Sequence, residues 1–538
     1  MANKVILGRE SKEKIKEGIN EVAEAVGATM GAKGRNVLIE QGLTSSPHIT
    51  KDGVTVARSV IFDDLLKNMG ASLIKEVATN TANDAGDGTS LSTVLTQHIF
   101  NYGDDAINRG INPVELKKGM DRAVGFTVSQ LKKISKEVKT EKELKNIAYI
   151  SANNDEALGK IISDVIGKVG KDGSISIEKS LSSDTSFTTV NGFKIDTGVK
   201  HEEFINNSKR NRVEFDNPLL VLYDRSISEI KDVNILMGKF METDPDTKQT
   251  KISRPIVFIC EGIDGEFGAL LRYNAYAHKV PFCFITAPNY GELRHKIMND
   301  IAMFTGGKYI TLNKGMDLNK AELSDLGTCE KIIIDKNSTV IIGGSGNKED
   351  FKSYIEVLEA QIESTEDKNE KASIKDRIAK MNNGAAVLKV GAISETELME
   401  KLDRVDDAVC ACKASLEEGY IAGGGTTFLI ISEMLKSMKY DTIDEREGIN
   451  IIRKSIEAPF KRIITNAGLE WTDYIHEIKN GKYGLGYNVK TDKLEDLFKS
   501  GVIDPTKVAR VALENANSIA SVLLTTECVL TYEKTKEV

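Results

Sequence analysis

The residues best suited to chemistry in this chain are concentrated in "AGDGTSLSTVL", residues 85–95. Gly86 and Gly88 bracket Asp87, and Thr89, Ser90, Ser92 and Thr93 open an apolar stretch that reads as a helix. A helix N-terminus binds anions, because its free N–H groups and positive dipole end point outward. Asp87 would repel a bare phosphate but suits a phosphate that carries magnesium. A structural glycine turn would show the same letters, and the loop alone leaves both readings open. Three further stretches are of the same kind. "TMGAKG" (29–34) is a glycine-punctuated helix end, "TKDG" (50–53) puts a lysine beside an aspartate at a turn, and "AGGGTT" (422–427) is a second glycine-rich approach to a helix. Walker A and the kinase signatures are missing from the sequence, so a nucleotide site would have to be assembled from such loops.

One carboxylate stands apart. In "ELMEKLDRVDDAVCACKASLEEG", Leu402, Val405, Val409, Cys412 and Leu416 form an apolar helical stripe. Asp407 lies roughly 200° round the helix from Val405 and points away from that stripe.

The elements that must position these residues follow from the rest of the pattern. At 538 residues the chain exceeds one hydrophobic core, and about three domains are expected. A net charge of −8 disfavours nonspecific binding to nucleic acid or to an anionic membrane. No apolar run reaches the length of a membrane span, and the first residues read neither as a signal peptide nor as a transit segment, so a cytoplasmic protein is expected. The six cysteines form no CxxC pair and mostly sit in apolar runs, which predicts buried reduced thiols; the six histidines lack metal-ligand spacing.

Residues 11–26 read as an amphipathic helix with Ser11 as its N-cap, and "HITKDGVTVARSV" reads as a strand or turn. The chain then stays mostly helical to about residue 133. In the middle third, "GKDGSISIEKS", "PLLVLYD", "PIVFICEG", "PFCFITAP", "KYITLN" and "KIIIDKNSTVIIGG" read as strands separated by helices, an α/β layer. Residues 350–382 read as a helical hairpin, and the chain is helical again after 400, interrupted by a strand-like "YGLGYNV". A helical start, an α/β middle and a helical end suggest one domain split by the insertion of another.

Taken together, "GAKGRNVLIE", "ITKDGVTVAR", "NMGASLIKEVA", "NDAGDGTS", "ISANNDE", "VGKDGSISIE", "RVDDA", "EEGYIAGGG", "GYNV" and "IDPTKV" resemble the landmarks of the group I chaperonins, the GroEL-like protein-folding rings. They stand in the family's order and run nearly from end to end. The resemblance implies an α/β multidomain chain: a mostly helical equatorial ATP-binding domain (1–133 and 418–538), a small intermediate domain (134–190 and 386–417) and an α/β apical domain (191–385), with hinges near Gly192, Gly384 and Gly419. It implies an ATPase with magnesium and potassium as cofactors, and a homo-oligomeric ring of seven subunits that encloses non-native polypeptides, with a co-chaperonin lid as a further partner.

Position by position, the resemblance gives Asp87 magnesium and sets Gly88, Thr89, Ser90 and Leu91 at the phosphates. Thr29, Met30, Gly31 and Ala32 match the opposing loop. Lys51 assists with phosphate, and Thr29, Lys51 and Ser90 with potassium; Asp52 lies near the γ-phosphate. Gly424, Asn488, Val489 and Asp504 match the adenine and ribose wall. Asp407 matches the carboxylate that activates water, reaching the site when the intermediate domain closes.

There are departures. Ala32 stands where the family usually has proline, and Leu91 where it has threonine. The client-binding positions read Val199, Glu203, Phe204, Asn234, Met237, Gly268, Arg272 and Tyr273, more polar than in the family; Phe240, Phe267, Tyr273 and Tyr276 offer a shifted apolar patch. "KFMETDPDTKQTKISRP" lengthens the link after the first client-binding helix, and the "TYEKTKEV" end lacks a Gly-Met-rich tail. At the family's ring–ring surface Lys461 and Glu470 keep plausible charges, while Asp473 replaces an apolar residue. These departures raise the hypothesis of a single ring, or of a nucleotide-dependent switch between single and double rings, and the sequence leaves the ring number open. A ring that serves one dedicated partner is the alternative to general refolding.

Overall fold

The computed structural model describes residues 3–532 except 8, 41–46, 153–154, 171–172, 181, 209, 244–249, 253, 313–314, 366 and 382. The end of "TYEKTKEV" and much of the lengthened 239–255 link lie outside the described residues. The chain forms two compact units: Met1–Gly167, Ile177–Ser186 and Lys389–Val538 make the first, and Lys168–Ser176 with Phe187–Leu388 the second.

The first unit is helical. Helices α1 (Arg9–Gly27), α2 (Gly53–Ser59), α3 (Leu65–Ala85), α4 (Thr89–Asn108) and α5 (Pro113–Ile134) pack with later helices Ile443–Ser455 and Thr506–Thr525 around one apolar core. Ile15, Ile19, Val22 and Val26 recur with helical period and are buried. Ser11 sits inside α1 and is buried there, so it is not the N-cap expected from the sequence. Asn112 accepts from the N–H groups of Val114 and Glu115 ahead of Pro113, which fixes the start of α5. Asn3–Leu7 pairs antiparallel with Cys528–Tyr532, joining the two ends of the chain.

"HITKDGVTVARSV" is only briefly a strand, His48–Thr50; Gly53–Ser59 is helix α2. The β-branched alternation suggested a strand, but Asp52 accepts the Val54 and Thr55 N–H groups and nucleates a helix instead.

In the second unit, Leu219–Leu222, Ile256–Cys260 and Phe282–Thr286 are adjacent parallel strands, apolar at every position but Thr286 because helices such as Gly265–His278 and Gly291–Thr305 cover them. The sheet continues through Gly327–Ile334, its hairpin partner Thr339–Gly344, and Ser186–Ile195. "KYITLN" does not form a strand; it contributes one bridge, Ile310 to Tyr223. The expected hairpin is present as Lys348–Ser364 and Lys368–Met381. It is tied to the helix Gly291–Thr305 by Arg377, which grips buried Asp300 at 2.6 and 2.7 Å, while the Tyr354 hydroxyl donates to the same carboxylate.

All six cysteines are free, with Cys528 exposed and Cys410 half-buried. Burial pushes the Cys260 thiol up to about 12. Among the described residues no helix is long and apolar enough to cross a membrane.

Candidate functional site

Backbone geometry shapes the Asp87 loop. Gly86 (φ 75°) ends α3 and Gly88 (φ 86°) begins α4, both in the left-handed region that favours glycine. Gly88 provides no side-chain cap, so the N–H groups that open α4 at Thr89, Ser90 and Leu91 have no side-chain acceptor there. Asp87 sits between the two glycines.

Facing this helix end is the turn after α1. The Thr29 hydroxyl donates to the Val26 carbonyl at 2.8 Å and meets the Ser90 hydroxyl at 3.2 Å. Gly31 (φ 87°) turns its carbonyl toward Lys51, whose ammonium donates to it at 3.3 Å. Asn466 donates to the Met30 carbonyl at 2.9 Å and steadies the turn that carries Ala32. Helix α2 closes the third side. A Cβ on Gly53 would stand 2.6 Å from Ser90 Oγ and 2.7 Å from Thr89 Oγ1, so the N-termini of α2 and α4 approach as only a glycine allows. The Asp52 carboxylate is engaged as the cap of α2 and also accepts from the Thr55 hydroxyl at 2.5 Å.

The fourth side comes from the far end of the chain. Strand Tyr420–Ala422 pairs with Ile503–Pro505, which sets Asp504 beside the glycine turn, where it accepts the Gly424 N–H. Asp504 keeps solvent access on its open side. Protein crowds the rest of its surroundings, and this loss of hydration, with the Asp87 charge, pushes its carboxyl up to about 6. Two carboxylates that resist joint ionisation, beside hydroxyls and uncapped helix-end N–H groups, fit a divalent cation carried by phosphate. Among the described residues no three His, Cys, Asp or Glu side chains converge as a metal site. A cation here would therefore take part of its shell from phosphate and hydroxyl oxygens.

Asn488 ends the hairpin strand Leu485–Asn488, and Val489 follows it. Val489 is buried in a small core with Leu429 and Phe460, and the Asn488 amide donates to Glu495 at 2.7 Å. Neither side chain is brought to the Asp87 loop by a contact of its own.

Asp407 lies on the long helix Glu395–Glu418. Ala414, two turns on, packs with Ala85, Val508 and Val511, which anchors this helix against α3 and Thr506–Thr525. The sequence reading missed Glu400 and Arg404. Burial lowers the Lys51 ammonium's pKa, with Glu400 opposing that shift and Arg404 adding to it. Residues 400, 404 and 407 share one helical face, so the face that carries Asp407 is the one that acts on Lys51. The i, i+4, i+7 spacing of these charges was the available signal.

In the second unit the proposed client-binding residues divide by exposure. Val199 and Phe204 are buried, Val199 bridged to Ile285 and Phe204 edge-on to His201, and Met237 is half-buried against the same core. Phe240 and Phe267 are core residues. Tyr273 and Tyr276 are 62% and 67% exposed, with Leu270 and Ile235 also at the surface.

Comparisons with known proteins address the family and the fold. The sequence profile of the TCP-1/cpn60 chaperonin family matches residues 22–534. The fold resembles two crystal structures of the chaperonin gp146 from the bacteriophage EL 2 (Pseudomonas aeruginosa), both determined in the presence of ATP-BeFx. Crystal form II gives a TM-score of 0.65 at 21% identity, covering 98% of this chain and 99% of that one. Crystal form I gives 0.60 at 20% identity, with the same coverage of both chains. The profile match spans nearly the whole sequence, and this chain belongs to the TCP-1/cpn60 chaperonin family.

Proposed function

We propose that this chain is the ATP-hydrolysing subunit of a protein-folding ring. The observation that carries the reading is the convergence of the Asp87–Ser90 helix end, the Thr29–Ala32 turn, Lys51 and Asp504 around one cleft. ATP with magnesium supplies a phosphoanhydride there. The N–H groups at the start of α4 bind the phosphate oxygens, and Asp87 holds the magnesium. Lys51 would neutralise the phosphate charge, the Thr29 and Ser90 hydroxyls would orient it, and these residues are where potassium would be held. Gly424, Asn488, Val489 and Asp504 wall the base and sugar. Asp407 takes the proton of the attacking water, and Asp52 assists beside the terminal phosphate.

In this reading the chain has equatorial (1–133, 418–538), intermediate (134–190, 386–417) and apical (191–385) domains. Seven subunits close a cytoplasmic ring, a co-chaperonin lid covers it, and ATP shifts the apical domain between two conformations. The presence of ATP-BeFx with the gp146 chaperonin supports a nucleotide-driven cycle. The test is refolding of a denatured, aggregation-prone client, with and without ATP, using wild type and Asp407→Ala. Wild type should restore client activity only with ATP, and the variant should bind client but release it poorly.

One observation favours a second reading, a ring for a dedicated partner. With Val199 and Phe204 buried, the exposed apolar surface near these positions reduces to Ile235, Leu270, Tyr273 and Tyr276. ATP turnover without capture of any general client would select that reading.

A further inference from the structure

A cavity of about 640 Å³ opens in the first unit, away from the Asp87 cleft. It lies among the ends of helices Thr426–Met434, Ile443–Ser455, Ala458–Asn466 and Thr472–Asn480, with Tyr102 of α4 on its wall. Its size is that of a small-molecule site. Its lining is unusual in charge: five cationic side chains face it against two carboxylates.

Both carboxylates are already taken. Glu457, 6% exposed, receives Lys479 at 2.6 Å, Lys461 at 2.9 Å and the Ser432 hydroxyl at 3.3 Å. Glu433 receives Lys436 at 2.5 Å and Lys479 at 3.0 Å. These lysines hold both carboxyls below the usual carboxylate range, so each stays charged. Arg453 and Lys454 remain. Arg453 reaches only the Asn450 side-chain oxygen, at 3.5 Å, and the Lys454 ammonium stands 5.9 Å from the centre of the Tyr102 ring. Neither has a carboxylate partner among the described residues. Five cations around one hollow repel one another, and two carboxylates leave about three positive charges uncompensated.

An anion of matching charge would relieve that repulsion. The guanidinium offers a planar fork and the ammonium a point charge, the pairing that phosphate oxygens use. Asn480 and the Trp471 indole add neutral N–H donors to the wall. We propose that this cavity is a second anion site, independent of the Asp87 cleft, which binds a compact oligophosphate of about three negative charges through Arg453 and Lys454.

The chain carries its own probe. Trp471 is its single tryptophan, and Lys461 lies 4.6 Å from the ring centre. An oligophosphate drawn into the cavity would pull Lys461 from that ring and change the emission. The experiment titrates the full-length protein with inorganic pyrophosphate, which carries about three negative charges near neutral pH, without magnesium and at constant ionic strength, while following tryptophan fluorescence. A saturable change is expected, weakened at least tenfold in R453Q/K454Q and in the exposed single variant K454Q, and retained in K51Q, which removes the cation of the Asp87 cleft. The single variant guards against a folding defect in the double one, and circular dichroism checks both. Absence of a saturable change would overturn the proposal, as would an unaltered titration in K454Q and R453Q/K454Q. A response abolished by K51Q would assign the signal to the cleft instead. Citrate or sulfate acting at the same concentration would refute selectivity for oligophosphate, and ADP acting in its place would point to a nucleotide.

Discussion

Replacing Gly53 with alanine separates the geometry of the cleft from the stability of the fold. Gly53 is buried in the first turn of α2, where helix propensity alone favours alanine by about 1 kcal/mol. The new Cβ, however, would stand 2.6 Å from Ser90 Oγ and 2.7 Å from Thr89 Oγ1, against 3.4 Å for ordinary contact. Restoring contact requires the N-terminus of α2 or the two hydroxyls to move by about 0.8 Å. Overpacking of this kind costs about 1–3 kcal/mol, which the propensity gain partly offsets, so the melting temperature should fall by only a few degrees. The hydroxyls that move are those proposed to face the phosphates, and a displacement near 1 Å at a reacting centre costs on the order of 100-fold in rate. Gly53→Ala should therefore lose roughly 10- to 100-fold in ATP turnover while remaining folded. Gly125→Ala is the control: its Cβ would meet nothing within 4 Å, and it should gain about 0.5–1 kcal/mol with turnover unchanged. Steady-state phosphate release and thermal unfolding, run on all three proteins, decide the matter. Wild-type turnover in a folded Gly53→Ala protein would refute the claim that the α2–α4 approach shapes the site.

Asp407→Ala should slow hydrolysis by about 10²–10⁴-fold with ADP affinity within a few-fold of wild type, and equal losses in both would assign Asp407 to binding instead. Arg377→Met leaves buried Asp300 without its charged partner, with the Tyr354 hydroxyl still donating to it, and should cost about 3–5 kcal/mol in urea unfolding; a loss below 1 kcal/mol would show that water compensates the carboxylate. Asp504 has a folded-state pKa of about 6, above its unfolded value, so its contribution to stability is present in acid and is lost as pH rises through 6. Because water reaches this carboxylate, Asp504→Asn should gain only about 1 kcal/mol or less over wild type at pH 7.5 and nothing at pH 4. Parallel stability curves for the two proteins across that range would contradict the shift.

Much of the architecture was legible because local pattern and tertiary fate coincide. The hairpin Lys348–Ser364 with Lys368–Met381 follows its apolar period and polar link, and the buried strands Ile256–Cys260 and Phe282–Thr286 read as continuous apolar runs. The sequence misled where a neighbour decides. Val54 and Val56 alternate with strand period, but the Asp52 cap makes their segment a helix. Ile310 has the letters of a strand and finds only one bridge partner. At the cleft, glycines and hydroxyls announced the loops one by one, but nothing local to Asp87 or Asp504 foretold that each would act on the other's charge. Glu400 and Arg404 were passed over, because their influence on Lys51 depends on a packing of distant segments.

The discontinuity of the first unit sets an order of events during synthesis. Residues up to 167 emerge early, but the segments that complete their core, among them Ile421, Phe428, Ile452 and Leu513, follow only after residue 389. At ribosomal rates of about 5–20 residues per second, that interval is on the order of ten to forty seconds. For its duration the inner faces of α1, α3, α4 and α5 lack their final cover, while residues 187–388 are already available to fold as a contiguous block. A member of a family that guards unfinished proteins thus spends part of every synthesis as an unfinished protein with sticky helices exposed. Ribosome-arrested chains ending near residue 390 are where that vulnerability should be greatest.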